Sequence, residues 1–141
     1  MGLSAELHQY AVDLTFNGGD PSGGFSRLEQ FGGDCADPED YIIMLQILAY
    51  AKGPVDLPLL VDFLEKCFKS DSEEVRRFVS FFTAPRFLKK GGMPRERLLP
   101  ILKHVSENDP SEAVKKSAVA GLFLIGEISE EAFHLACDQV N

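Results

Sequence analysis

Apolar positions recur along most of the chain at intervals of three and four residues, the spacing that places side chains on one face of an α-helix. Glycine, proline and acidic residues interrupt this pattern repeatedly, as they do where helices end and begin. No stretch alternates apolar and polar residues over the length of a strand. The pattern therefore predicts an all-α protein with about eight helices in antiparallel pairs.

The residues that flank each apolar segment predict where the helices begin and end. Asp37-Pro38 is a strong start signal, because Asp caps a helix and Pro suits its first position. Pro85 lacks an N–H and crowds the preceding turn, so a kink or break is expected near Thr83. The predicted helices cover residues 4–14, 25–31, 41–51, 56–68, 72–83, 94–105, 114–125 and 129–140, with a short helical tail at 87–90.

The segment 41–51 is apolar almost all round, so its periodicity does not separate a buried helix from a buried strand. Its length and the flanking start and stop signals favour a helix. We therefore predict a buried helix at this position.

Two parts of the chain repeat at an offset of 39 positions, which places Ser72 on Ser111 and Val75 on Val114. Each copy consists of an apolar helix, a short turn containing Asp, and a second helix that opens with acids and continues with paired bases. A single helical hairpin cannot bury its own apolar face, whereas hairpins stacked side by side can. The repeat therefore predicts a stack of hairpins.

The segments Asp71–Arg77 and Asp109–Lys116 resemble HEAT and armadillo-like repeats, in which Asp-Pro-x-x-Val-Arg opens an Ala-rich second helix. Residues 118–122 match that helix well, whereas the Phe-rich residues 78–82 match it poorly. The resemblance covers about two-thirds of the chain. It implies one domain folded as a short right-handed α-α superhelix, with a degenerate unit at 4–53, units at 56–90 and 94–126, and a capping helix at 129–140. Such folds mostly serve as binding surfaces.

Composition narrows the class of partner. The net charge of −8 disfavours nucleic acid, whose phosphates need clustered Lys and Arg. No apolar run approaches the roughly 20 residues that cross a bilayer, and the N-terminus lacks a signal-peptide pattern. Cys35, Cys67 and Cys137 are odd in number and far apart, which is typical of reduced thiols. We therefore expect a cytoplasmic protein that binds neither nucleic acid nor membranes.

Acidic residues gather where the second helices begin, and stacked hairpins would align them along one edge. Carboxylates at these positions cap helix N-termini and complement the helix dipole, and capping alone is one explanation of them. However, four acids within residues 34–40 exceed what one cap requires, and a basic partner would relieve their repulsion. The candidate partner-binding residues are Asp34, Asp37, Glu39, Asp40, Asp71, Glu73, Glu74, Asp109 and Glu112.

Catalytic, metal and phosphate chemistry have weaker support in the sequence. His8, His104 and His134 fall in separate predicted helices, and no nucleophile, zinc, calcium or phosphate-loop motif occurs. We therefore expect no catalytic residue, cofactor or metal. A basic stretch could contact phosphates, as in HEAT-like DNA glycosylases, although a solvated loop, or cations that complement the end of the preceding helix, explains it more simply. It comprises Arg86, Lys89, Lys90, Arg95 and Arg97.

The leading functional hypothesis is a small protein-binding module whose acidic surface captures a basic protein, for example an immunity protein that neutralises a cationic toxin such as a nuclease. The second is a HEAT-like adaptor or scaffold subunit that binds a helical segment of a larger assembly. The third is a HEAT-like enzyme of the lyase or DNA-glycosylase type, which requires a pocket where His104 or His134 meets carboxylates.

Overall fold

The computed structural model describes residues 37–50, 57–89 and 92–140, together with Ala5, Gln9, Val12 and Asp13. Throughout these residues the backbone forms helices and the turns that join them, and no strand is present. The all-α prediction is therefore confirmed. Ala5, Gln9, Val12 and Asp13 are helical, and Gln9 donates a hydrogen bond to Asp13 at 3.1 Å. The rest of the predicted first helix and the predicted helix at 25–31 lie outside the described residues.

The helix boundaries agree with the start and stop signals to within a few residues. The helices are α1 (Pro38–Tyr50), α2 (Leu57–Phe68), α3 (Glu73–Phe78), a π-helical segment (Val79–Thr83), α4 (Ala84–Leu88), α5 (Gly92–Asn108), α6 (Glu112–Leu124) and α7 (Glu130–Val140). The apolar run that begins at Tyr41 lies in α1 and is a helix, not a strand. The largest differences are three residues, because α1 begins at Pro38 instead of Tyr41 and α5 ends at Asn108 instead of Val105.

The turns that precede α3 and α6 have the same hydrogen bonds at positions 39 residues apart. The Ser72 hydroxyl accepts from the Val75 N–H at 3.4 Å, and the Ser111 hydroxyl accepts from the Val114 N–H at 3.3 Å. Both serines are therefore N-caps. Val75 and Val114 are both fully buried. The sequence offset thus corresponds to two structurally equivalent helix starts.

Segments α3, Val79–Thr83 and α4 follow one another without a break, and we call residues 73–88 the long helix. The π-helical register is marked by the Ala84 N–H, which donates to the Val79 carbonyl five residues earlier. Pro85 has no N–H for the carbonyl four residues before it, and its ring crowds that carbonyl. The chain therefore forms a wider, π-helical turn near Thr83 in place of the predicted break, and the helix continues to Leu88.

The helices form two packed layers. One layer holds α1, the long helix and α6 side by side, and the other holds α2 and α5. Helix α7 packs against α6. The core between the layers is mostly aliphatic, and the burial of these side chains favours folding. Its fully buried side chains include Met44, Leu45, Ile47, Leu60, Leu64, Leu88, Leu98 and Leu102.

The π-helical segment is held on both sides by its neighbours. On one side, the buried Thr83 hydroxyl donates to the Leu45 carbonyl of α1 at 3.0 Å. On the other side, Gly121 of α6 lies so close to the Ser80 carbonyl that a Cβ would overlap it. Only glycine permits this approach without movement of the backbone.

Candidate functional site

Helices α1, α3 and α6 begin at the same edge of the molecule, because the starts of α1 and α3 line one depression and Ser111, which precedes α6, is hydrogen-bonded to Glu73 of α3. At this edge an open depression of about 500 Å³ lies between the starts of α1 and α3. We call it the acidic depression, and its lining residues are Asp37, Pro38, Glu39, Ser72, Glu73 and Glu74. The structure thus brings four of the predicted partner-binding residues together.

Two further predicted residues are exposed near this edge without lining the acidic depression. Asp71 lines an adjacent depression that also contains Lys66 and Lys69. Glu112 is exposed in the first turn of α6. Asp34 lies outside the described residues.

The remaining two predicted residues are buried and do not present an open carboxylate. Asp40 is 3% exposed and Asp109 is 8% exposed. The Asp109 carboxylate accepts from Arg76 Nε at 2.9 Å and from the Ser111 N–H at 2.9 Å. The expected row of carboxylates along the edge is therefore interrupted at Asp109, because this carboxylate is buried and hydrogen-bonded inside the fold.

Glu73 is held in place within the acidic depression. The Ser111 hydroxyl, which caps α6, donates to Glu73 Oε1 at 2.6 Å. This hydrogen bond links the N-termini of two neighbouring helices. The positive ends of the helix dipoles at this edge also stabilise nearby carboxylates.

A second open surface was not predicted from the sequence. Two adjoining depressions, of about 400 and 360 Å³, both include Phe81 and Phe82 of the π-helical segment. We call their combined surface the aromatic groove. Its lining residues are Ile42, Glu74, Arg77, Phe78, Phe81, Phe82, Pro85, Arg86, Lys89, Ser117 and Leu124.

The sequence did contain a signal for this groove. Three phenylalanines fall within residues 78–82, whereas one face of a helix buries only about half of such a run. In the structure Val79 and Thr83 take the core positions, and Phe81 remains 49% exposed. Residues 78–82, which match an Ala-rich repeat helix poorly, are therefore the segment that exposes an aromatic surface.

The described residues of the basic stretch do not all form one cluster of open cations, although Arg86 and Lys89 are exposed and line the same depression. Arg95 donates to Glu127 at 2.9 Å and to the Leu88 carbonyl at 3.1 Å. Arg97 lies 2.7 Å from Glu65, and Arg86 stacks over the Phe82 ring at 4.7 Å. Lys90 lies outside the described residues. These separate contacts give little support to a shared phosphate site.

The two described histidines are exposed, and each contacts a residue of its own helix. His104 is exposed and contacts Asn108 at 3.2 Å in the same helix. His134 is exposed and lies 3.6 Å from Glu130, also in its own helix. Across the described ranges, no three His, Cys, Asp or Glu side chains are placed to hold a metal ion. His8 lies outside these ranges.

None of the helices in the described part of the chain is both long enough and apolar enough to span a bilayer. Comparisons with protein-family models, with curated proteins and with solved structures found no match for this chain. The functional interpretation therefore depends on the geometry of the acidic depression and the aromatic groove.

Proposed function

We propose that this protein is a small helical-repeat binding module that captures a basic protein through the acidic depression. Its concrete form is an immunity or inhibitor protein of the cytoplasm that neutralises a cationic toxin, such as a nuclease. The proposed architecture is a short right-handed HEAT-like solenoid of about eight helices. The proposal assigns no catalytic residue, cofactor or metal.

The repeated helix starts support the solenoid. Ser72 and Ser111 cap equivalent helices at the same edge, and these helices are neighbours in one layer. The preceding helices of the two hairpins, α2 and α5, are neighbours in the other layer. Hairpins related by a small repeated displacement produce this arrangement.

The observation that carries the binding proposal is the excess of carboxylates in the acidic depression. The N-cap of α3 is the Ser72 hydroxyl, so neither Glu73 nor Glu74 is needed as a cap. Asp37 and Glu39 of the neighbouring helix line the same depression. Four carboxylates that close together create a negative potential, which attracts a cationic surface and accelerates its association.

A capture experiment with isocharged variants tests this proposal. The wild-type chain, a Glu39→Lys/Glu73→Lys variant and a Glu96→Lys/Glu131→Lys control are immobilised and incubated with lysate of the source cells and with the product of the adjacent reading frame. The control reverses two exposed acids away from the depression and has the same net charge as the test variant.

We expect the wild type and the control to retain the same basic protein and the Glu39→Lys/Glu73→Lys variant to lose it. This variant preserves Asp37, Ser72 and Ser111 at the helix starts but loses the hydrogen bond from Ser111 to Glu73, so circular dichroism of each variant checks that the helices are retained. Equal retention by all three proteins would contradict a role for the acidic depression.

The aromatic groove favours a second candidate function, an adaptor that binds a segment of a larger assembly. Phe81 of the π-helical segment and Leu124 of α6 are 49% and 48% exposed, and they line the same depression. Clustered exposed apolar side chains mark interaction surfaces more often than isolated ones do. Loss of binding to an apolar peptide after Phe81→Ser tests this candidate.

A further inference from the structure

The aromatic groove has a defined length and direction along the long helix. Its lining residues extend from Glu74 in the first turn to Lys89 just after the last, which corresponds to about 22 Å of helix. The two depressions meet at Phe81 and Phe82, which line both. A single elongated ligand that crosses these two rings would therefore occupy the whole groove.

The groove is apolar at its centre. Phe78 and Phe82 pack against each other with ring centroids 4.8 Å apart and form part of its floor. Phe81 and Leu124 project enough to leave about half of each side chain in contact with solvent. Leaving these side chains in water forgoes the free energy of their burial, which a docked apolar surface would recover.

The charges of the groove are opposite in sign to the charge of the whole protein. Three bases line it, and Glu74 is the single acid among its lining residues, although the chain carries a net charge of −8. Arg77 and Lys89 form no ion pair within the residues that the structure describes. A ligand with acidic groups would therefore complement this surface better than a neutral or basic one.

The bases are unevenly placed. Arg86 and Lys89 lie at the C-terminal end of the long helix, whereas Glu74 lies at the other end, next to Arg77. Stacking on Phe82 already holds the Arg86 side chain in position. A carboxylate that binds Arg86 therefore loses less side-chain entropy than one that binds a mobile arginine. The groove is therefore more positive at the C-terminal end of the long helix than at the other end, and its centre is apolar.

We infer that the aromatic groove docks a short amphipathic helix of a partner protein, with its apolar face on Phe81 and Leu124 and its acidic end at Arg86 and Lys89. A helix of about 14 residues matches the length of the groove. This inference rests on the adaptor function proposed above and specifies the chemistry of the docked segment. It does not depend on the acidic depression, with which the groove shares only Glu74.

The test uses three fluorescein-labelled synthetic helices of about 14 residues that share one leucine face. The first carries Glu on the flanks of one end, the second carries Gln at the same positions and the third carries Lys. Binding to the full chain is measured by fluorescence anisotropy. The protein variants are Phe81→Ser, with Leu135→Ser as its matched control, and Arg86→Gln/Lys89→Gln, with Lys66→Gln/Lys69→Gln as its control.

We expect the Glu peptide to bind about tenfold more tightly than the Gln peptide, and the Lys peptide to bind most weakly. Phe81→Ser lowers the affinity for the Glu peptide about tenfold, whereas Leu135→Ser leaves it unchanged. Arg86→Gln/Lys89→Gln reduces the affinity for the Glu peptide to that for the Gln peptide. The double substitution at Lys66 and Lys69 preserves the difference between the peptides.

Some outcomes would contradict only the acidic partner helix, whereas others would also contradict the adaptor function. Equal binding of the Glu and Gln peptides, still sensitive to Phe81→Ser, would retain the adaptor function and overturn the acidic partner. Binding that is insensitive to Phe81→Ser, or no saturable binding, would overturn both. A concentration-dependent dimer that Phe81→Ser abolishes would identify a second copy of the chain as the occupant and would also overturn the inference.

Discussion

The Arg76 guanidinium donates to both carboxylate oxygens of Asp109, which lies 33 positions later in the chain, at 2.9 and 3.3 Å. The same guanidinium donates to the Ser70 carbonyl at 2.9 Å. Asp109 in turn accepts from the Ser111 N–H. Arg76 therefore connects the turn before α3 to the turn before α6, which are the two equivalent turns of the repeat.

Removing the Arg76 guanidinium should destabilise the fold strongly. The Arg76 and Asp109 side chains are only 14% and 5% exposed, so Arg76→Met leaves a buried carboxylate without its cation. Such a change costs about 3 kcal/mol in the free energy of unfolding. Urea unfolding followed by circular dichroism measures it. The neighbouring Arg77 is exposed, so Arg77→Met is the control and should change stability by less than about 0.5 kcal/mol. Equal losses in the two variants would contradict the connecting role of Arg76.

Both N-cap serines should contribute to stability, and Ser111 should contribute more because its hydroxyl also donates to Glu73. Ser72→Ala and Ser111→Ala each remove a hydroxyl that accepts from the N–H three residues later. We expect Ser72→Ala to lower the free energy of unfolding by about 1 kcal/mol and Ser111→Ala to lower it by at least as much, and Ser72→Asp to retain most of the stability. Thermal and urea unfolding measure both effects. A loss at one position with none at the other would show that the helix starts are not equivalent.

Gly121→Ala should destabilise the protein although Ala is the better helix former. A Cβ at this position overlaps the Ser80 carbonyl, which belongs to backbone and cannot rotate away. Overpacking of this kind costs about 2 kcal/mol, which exceeds the gain of about 1 kcal/mol from helix propensity. Ser117→Ala, one helical turn earlier in α6, is the control and should be neutral or slightly stabilising. A stability gain in Gly121→Ala would mean that α6 does not approach the π-helical segment so closely.

Signals that depend on near neighbours in the sequence predicted the all-α class and most helix boundaries. Asp37-Pro38 and Ser72 marked helix starts because an N-cap and its N–H partner lie within three residues of each other. The offset of 39 positions paired Val75 with Val114, and both are fully buried in equivalent turns of α3 and α6. Pro85 predicted an irregularity near Thr83, since the missing N–H belongs to proline itself.

Contacts between distant residues could not be predicted in the same way. Asp109 was expected at an open acidic edge, but its partner Arg76 lies in another hairpin and the ion pair exists only after the hairpins pack. The form of the irregularity near Pro85 also depends on packing. The π-helical register is accommodated between Leu45 on one side and Gly121 on the other. As a result, the exposure of Phe81 could not be deduced from the helical period alone.

The most direct test of the account is the association rate constant of the captured basic partner, measured by stopped-flow fluorescence at ionic strengths from about 0.02 to 0.5 M. For the wild type and for Glu96→Lys/Glu131→Lys, we expect fast association that slows steeply as salt rises. For Glu39→Lys/Glu73→Lys, we expect at least a tenfold slower rate at low salt and a shallower dependence. Identical salt dependence in the two isocharged variants would contradict capture through the acidic depression.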